Sequence, residues 1–162
     1  LTLGPQLEKF EKDFSKYSHA KYAIAVSNCT AALHLSLMAL GIKKNDEVLI
    51  PDLTFVADAN AILACNAKPV ITDINKNNFF LSISNIKKNI TKKTKAIIPV
   101  HIYGQVCNIE EILDVAKDNN LKVVEDCAHA VGTFHKSKHV GTLGNTGCFS
   151  FYPTKNITTL EG

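Results

Sequence analysis

The chain lacks the marks of several protein classes. It contains no CxxC pair, and its five cysteines (Cys29, Cys65, Cys107, Cys127 and Cys148) are odd in number and widely spaced. That excludes a small disulfide scaffold and predicts reduced thiols in a cytoplasmic protein. These residues show no charged-then-apolar leader and no apolar run of membrane-spanning length. The Asn-x-Thr triplets at Asn28, Asn89 and Asn156 therefore read as chance matches to a glycosylation signal. A concentrated basic face is also missing. Net charge is only +3, and the clusters Lys87–Lys88 and Lys92–Lys93–Lys95 read as a solvated helix end and a loop. No nucleic-acid partner is expected. Internal repeats, low-complexity tracts and linkers are lacking too.

What remains is ordinary globular composition: 162 residues, 46% hydrophobic and 20% charged. A chain of this length buries about 68–70% of its unfolded surface, enough for one core. It opens on Leu1, and Met38 is its one methionine. Its last residues read as a turn. The expectation is a piece of a longer protein, cut at both ends.

Along the chain, two periods alternate. Leu7, Phe10, Phe14 and Tyr17 recur at helical spacing. "YAIAVS" (22–27) reads as a strand that runs into the apolar helix "AALHLSLMALG". Strands are then expected at 47–51, 68–74, 95–101, 121–128 and 146–152. Helices are expected at 55–67, 83–91 and 109–120. Continuous apolar strands alternating with helices predict an α/β fold: a mostly parallel sheet in three αβα layers. Residues 132–145 read as an excursion over a site or as a surface hairpin.

In such sheets, ligands bind beyond the carboxyl ends of the strands. "SNCTAAL" follows the first expected strand, where Ser27 or Asn28 can cap a helix. The first-turn amides of Cys29, Thr30 and Ala31 could alternatively hold a phosphate. Asp126 ends "LKVVED", where a buried carboxylate needs a cation, a strong donor or a structural partner. His129 is catalytic or a satisfied structural residue. Phe55 is core or an exposed ring for stacking. His135 and His139, spaced H-x3-H, lack an obvious fourth ligand even with Cys148, so no metal is expected. Lys155 follows the apolar approach "FSFYPT". Partial desolvation there would favour a neutral, nucleophilic amine. A phosphate cradle, an acid, a flat aromatic and an amine at one sheet edge fit pyridoxal phosphate, with Lys155 as the Schiff base.

Long blocks carry a resemblance: "AVSNCTAALHLSLMALGI", "DEVLIPDLTFVADANAILACNAKPVITDI", "PVHIYGQ", "VVEDCAHAVGT" and "GCFSFYPTKNITTLEG". Together with "LTLGPQLEKFEKDF", and in this order, they resemble the DegT/DnrJ/EryC1/StrS family of sugar aminotransferases from end to end. The resemblance implies the large domain of a fold type I pyridoxal-phosphate transferase over residues 1–162, without its small C-terminal domain. It implies a homodimer that moves an amino group, from glutamate, onto a nucleotide-linked keto sugar. Lys155 would bind the cofactor and move protons, and Asp126 would pair with the pyridine nitrogen. His129 would lie by the ring and its 3-oxygen, with Phe55 stacked on the ring. Thr30, the Ala31 amide and Ser150 would hold the phosphate. A dehydratase of the same family, which typically replaces the lysine with histidine, and a non-enzymatic cofactor-binding regulator are the alternative readings. Two departures are visible: Cys29 where glycine is usual, and Leu160 where glycine is frequent before Glu161.

Overall fold

The computed structural model describes residues 4–159. Helix α1 spans Pro5–Ser18, with proline in its first turn, where a missing N–H costs nothing. Its apolar stripe meets the end of the chain: the Phe14 ring lies edge-on to Phe149 at 5.0 Å and to Phe151 at 5.7 Å. Helix α2 (Cys29–Ala39) ends at Gly41, whose φ of +84 suits glycine.

The remaining main elements are β1 (Glu47–Pro51), α3 (Ala57–Ala64), β2 (Lys68–Thr72), α4 (Ile83–Asn89), β3 (Thr94–Ile97), α5 (Ile109–Asp118) and β4 (Lys122–Asp126). The hairpin β5 (Phe134–His135)/β6 (Lys138–His139) and strand β7 (Thr146–Cys148) follow. Five strands form one parallel sheet in the order β2-β1-β3-β4-β7. Alternate side chains point to opposite faces, and both faces are covered. Val48, Ile50, Ala96 and Val124 pack against Leu33, Leu37 and Ile62 of α2 and α3. Leu49, Ile97 and Val123 pack against Ile86, Ile109 and Ile112 of α4 and α5. The expected three-layer αβα architecture is thus present.

One expected strand is not. Residues 22–27 are extended, but no ladder partner lies beside them among the described residues. Ala23 and Ala25 turn inward while Tyr22, Ile24 and Val26 are exposed. The segment is pinned instead by the Ala25 N–H, which donates to Glu11 Oε1 at 2.8 Å. An alternating pattern reports which side faces the core, but a strand also needs a neighbour to bond. β1 spans the expected 47–51, whereas β2, β3, β4 and β7 stop before the ends of their apolar runs. Residues 132–145 do contain a hairpin, but its return leg goes inside. His139 and Val140 are fully buried, and Tyr17, Phe134 and Phe149 surround the His139 ring.

Candidate active site

The carboxyl ends of β4 and β7 carry the titratable groups. β4 stops at Asp126, opposite Cys148 of β7. Asp126 is 5% exposed, and its Oδ1 accepts the Ala128 N–H at 2.8 Å. Burial pushes its carboxyl up. The Ala128 amide, then the charges of His129 and Lys155, pull the other way. Burial and Lys155 both hold His129 below the ordinary imidazole value, against Asp126. Asp126, His129 and Lys155 therefore form one electrostatic cluster. Lys155, Thr154, His129 and Tyr103 line a pocket of about 320 Å³. The Asn156 side chain donates to the Val131 carbonyl at 3.0 Å and ties the Lys155 loop to the segment after β4. Ser150, two residues past β7, is buried, and its Oγ accepts the Tyr152 N–H.

The start of α2 borders the same cluster. Burial and the Asp126 charge both push the Cys29 thiol up. Asn28, not Ser27, is the cap: its Oδ1 accepts the Ala31 N–H at 2.8 Å. The Ala31 amide is thus engaged, while the Cys29 and Thr30 amides have no acceptor among the described residues. Cys29 is buried in the first turn and is not among the residues of positive φ. This position does not require glycine. Leu160 lies outside the described residues.

Phe55, after β1, is 71% exposed, which removes the core alternative for it. His139 offers no ligand atom: its Nε2 accepts the Gly132 N–H, and its Nδ1 donates to the Val140 carbonyl. His135 instead faces Glu110 at 3.1 Å. The H-x3-H spacing is accounted for by the packing of His139 and the Glu110 contact of His135.

Three features escaped the sequence reading. Asp58, in α3, is fully buried beside Asp126. A carboxylate in the apolar run "FVADANAILACNA" was the available signal. Glu125 and His101 form a fully buried pair, and a charge within a continuous apolar strand was its signal. Tyr103 is 78% exposed at φ +53, an uncommon conformation for an aromatic residue, and its ring stacks on His129 at 5.7 Å. Nothing in its own residue type announced that.

Comparison with known proteins identifies the family and the fold. A family model described as the DegT/DnrJ/EryC1/StrS aminotransferase family matches residues 1–162. GDP-perosamine synthase of Escherichia coli O157:H7 is 48% identical over 159 residues, which cover 98% of this chain and 44% of the synthase. The aminotransferase of Psychrobacter cryohalolentis superposes with a TM-score of 0.95 at 37% identity, over 98% of this chain and 40% of that one. NtdA of Bacillus subtilis, solved with bound cofactor PMP, gives 0.92 at 39% identity, over 97% of this chain and 35% of that one. The chain spans less than half the length of the curated relatives it matches, 42–44% in each case. The fold is that of fold type I pyridoxal-phosphate aminotransferases.

Proposed function

This chain belongs to the DegT/DnrJ/EryC1/StrS aminotransferase family, and on that premise we propose that it is the cofactor-binding, large-domain part of a pyridoxal-phosphate-dependent transaminase. In this reading the whole protein is a cytoplasmic homodimer. It moves an amino group from glutamate onto a nucleotide-linked keto sugar and feeds polysaccharide synthesis. Relatives named as GDP-perosamine synthases and as a spore coat polysaccharide biosynthesis protein support that substrate class. Among the described residues, no helix is long and apolar enough to cross a membrane.

The observation that carries the reading is the convergence of Asp126, His129 and Lys155 at the carboxyl ends of β4 and β7. The residues present fit the cofactor. Asp126 is a buried carboxylate without an ion-pair partner among the described residues, the setting for a protonated pyridine nitrogen. The unpaired amides of Cys29 and Thr30 at a helix start, with the Thr30 and Ser150 hydroxyls, suit a phosphate. Lys155 lines the pocket where an aldehyde carbon would lie. Bound there, pyridoxal phosphate supplies an electron sink for the charge left when a C–H proton is removed.

The chain's own residues do the rest. Lys155 Nζ would hold the cofactor's aldehyde carbon and is the amine available to move a proton between carbons. Asp126 would pair with the ring nitrogen and keep it protonated. His129 Nδ1 accepts the Tyr103 N–H at 3.4 Å, and burial keeps the ring neutral. Its proton therefore sits on Nε2, free to donate to the cofactor's 3-oxygen. The exposed Phe55 ring is available to stack on the pyridine face.

The test is made on the full-length protein with pyridoxal phosphate. The expected result is a visible absorption band that glutamate abolishes, with borohydride fixing the label on Lys155. A label on another lysine, or no band, would overturn the reading.

A further inference from the structure

We propose that Asp58 is a positioning residue for Asp126: it bears a proton and donates it as a hydrogen bond to the Asp126 carboxylate, aiming that carboxylate at the cofactor's ring nitrogen. This rests on the pyridoxal-phosphate reading above and adds a residue to it.

Asp58 sits in the first turn of α3 and is 0% exposed. The Thr54 hydroxyl donates to its Oδ2 at 2.6 Å. Its Oδ1 is buried and no donor among the described residues reaches it. No lysine or histidine among the described residues forms an ion pair with it. The group beside it is another carboxyl, that of Asp126. Two neighbouring carboxyls, both buried, disfavour a charge on each, and one proton held by the pair relieves that. A proton on Oδ1 converts a stranded acceptor into a donor, and Asp126 is its acceptor.

The proton belongs on Asp58 because the charge is better supported on Asp126. Asp126 already receives the Ala128 amide and feels His129 and Lys155. Asp58 has only the Thr54 hydroxyl. Burial first, then the Asp126 charge, raise Asp58 to about 8, against Thr54. Two thiols border the pair as well, Cys29 of α2 and Cys148 of β7. Burial raises both thiols, so they stay neutral and add no charge.

The geometry has a consequence for the cofactor. Asp126 has one oxygen held by the Ala128 amide. A second donor from the α3 side stops the carboxyl from rotating, so that its remaining lone pair faces the pocket. Asp58 touches no reacting atom and acts through Asp126 alone.

The experiment uses full-length protein and three variants: Asp58→Asn, which keeps a donor and an acceptor of the same shape, Asp58→Leu, which keeps neither, and Asp126→Asn as a control. Infrared difference spectra of the cofactor-free protein at neutral pH read the protonated carboxyl directly. The wild type is expected to show its carbonyl stretch and Asp58→Asn to lack it. An absent band in the wild type, or a band that persists in Asp58→Asn, would overturn the proposal. Cofactor affinity then tests positioning. Asp58→Asn is expected to bind pyridoxal phosphate within about threefold of wild type, and Asp58→Leu about 10–100-fold more weakly, the worth of a hydrogen bond to a charged group. Equal losses in both variants, or none in Asp58→Leu, would overturn it. If the wild type takes up no pyridoxal phosphate, the transaminase reading and the cofactor role fall together. The infrared band reads the shared proton independently and tells the two failures apart.

Discussion

His101 Nε2 lies 2.9 Å from Glu125 Oε2, with both side chains fully buried. The Cys107 N–H donates to His101 Nδ1, so the histidine proton is on Nε2 and points at Glu125. Glu125 also accepts the N–H groups of Gly141 (2.8 Å), Leu143 (2.8 Å) and Gly144 (2.7 Å). Four donors on one carboxylate clamp the loop before β7 to β4. Cys127 brings its sulfur within 4.8 Å of these groups. Yet both nitrogens of His101 and both oxygens of Glu125 are already used. The cluster is a structural hub that delivers β7, and behind it Ser150, to the site.

Removing that hub is expected to be costly. Glu125→Ala should destabilise the protein by about 3–5 kcal/mol, and His101→Leu by about 1–3 kcal/mol, measured by urea unfolding. The pH dependence has a definite sign. Burial alone would raise Glu125, but the donors from His101, Gly144 and Gly141 outweigh it and hold the carboxyl below its ordinary value. Its contribution is therefore complete above the unfolded value of about 4.3 and is lost as pH falls through the lower folded value. The acid limb of the stability curve should flatten in Glu125→Gln.

Gly147 in β7 has no room for a side chain. A Cβ there would run into the Gly141 Cα and carbonyl oxygen, and backbone cannot yield as a side chain can. Gly147→Ala should cost about 1–3 kcal/mol or more, read as a lower unfolding midpoint.

Asn28→Ala removes the side chain that caps α2 at the Ala31 amide. Stability should fall by about 0.5–2 kcal/mol, and Asn28→Ser should restore most of it. Thermal unfolding of the two variants side by side checks this.

Lys155→Ala should separate chemistry from folding. Lys155 is partly exposed and its side chain holds no hydrogen bond or ion pair within the described residues. Stability should change by no more than about 0.5 kcal/mol. Transamination by the full-length protein should fall by about 10²–10⁴-fold or more through loss of the proton carrier. Unchanged turnover with a keto-sugar acceptor would sink the catalytic assignment.

Much was legible before the structure. The period of the apolar residues separates helix from strand, because a helix repeats its face at 3.6 residues and a strand at two. That was enough for the parallel αβα order, for the helices packed on both faces, and for Asp126 at a strand end, with His129 and Lys155 in the segments that follow β4 and β7. Strand pairing was beyond it: residues 22–27 have a strand's alternation but no neighbour among the described residues, and a backbone hydrogen bond needs two partners. Cys29 shows the reverse, a departure in sequence that the backbone accommodates at ordinary φ.

The kinds of chemistry available, and the strand ends and helix starts that carry them, were legible in the sequence alone. They follow from residue type and local period, which need no distant contact. Tertiary structure alone decided which groups meet. Asp58 and Asp126 are 68 positions apart in the chain, and His101 and Glu125 lie on separate β–α units. Whether a buried acid keeps its proton depends on the charge and the donors packed against it, and those come from elsewhere in the fold.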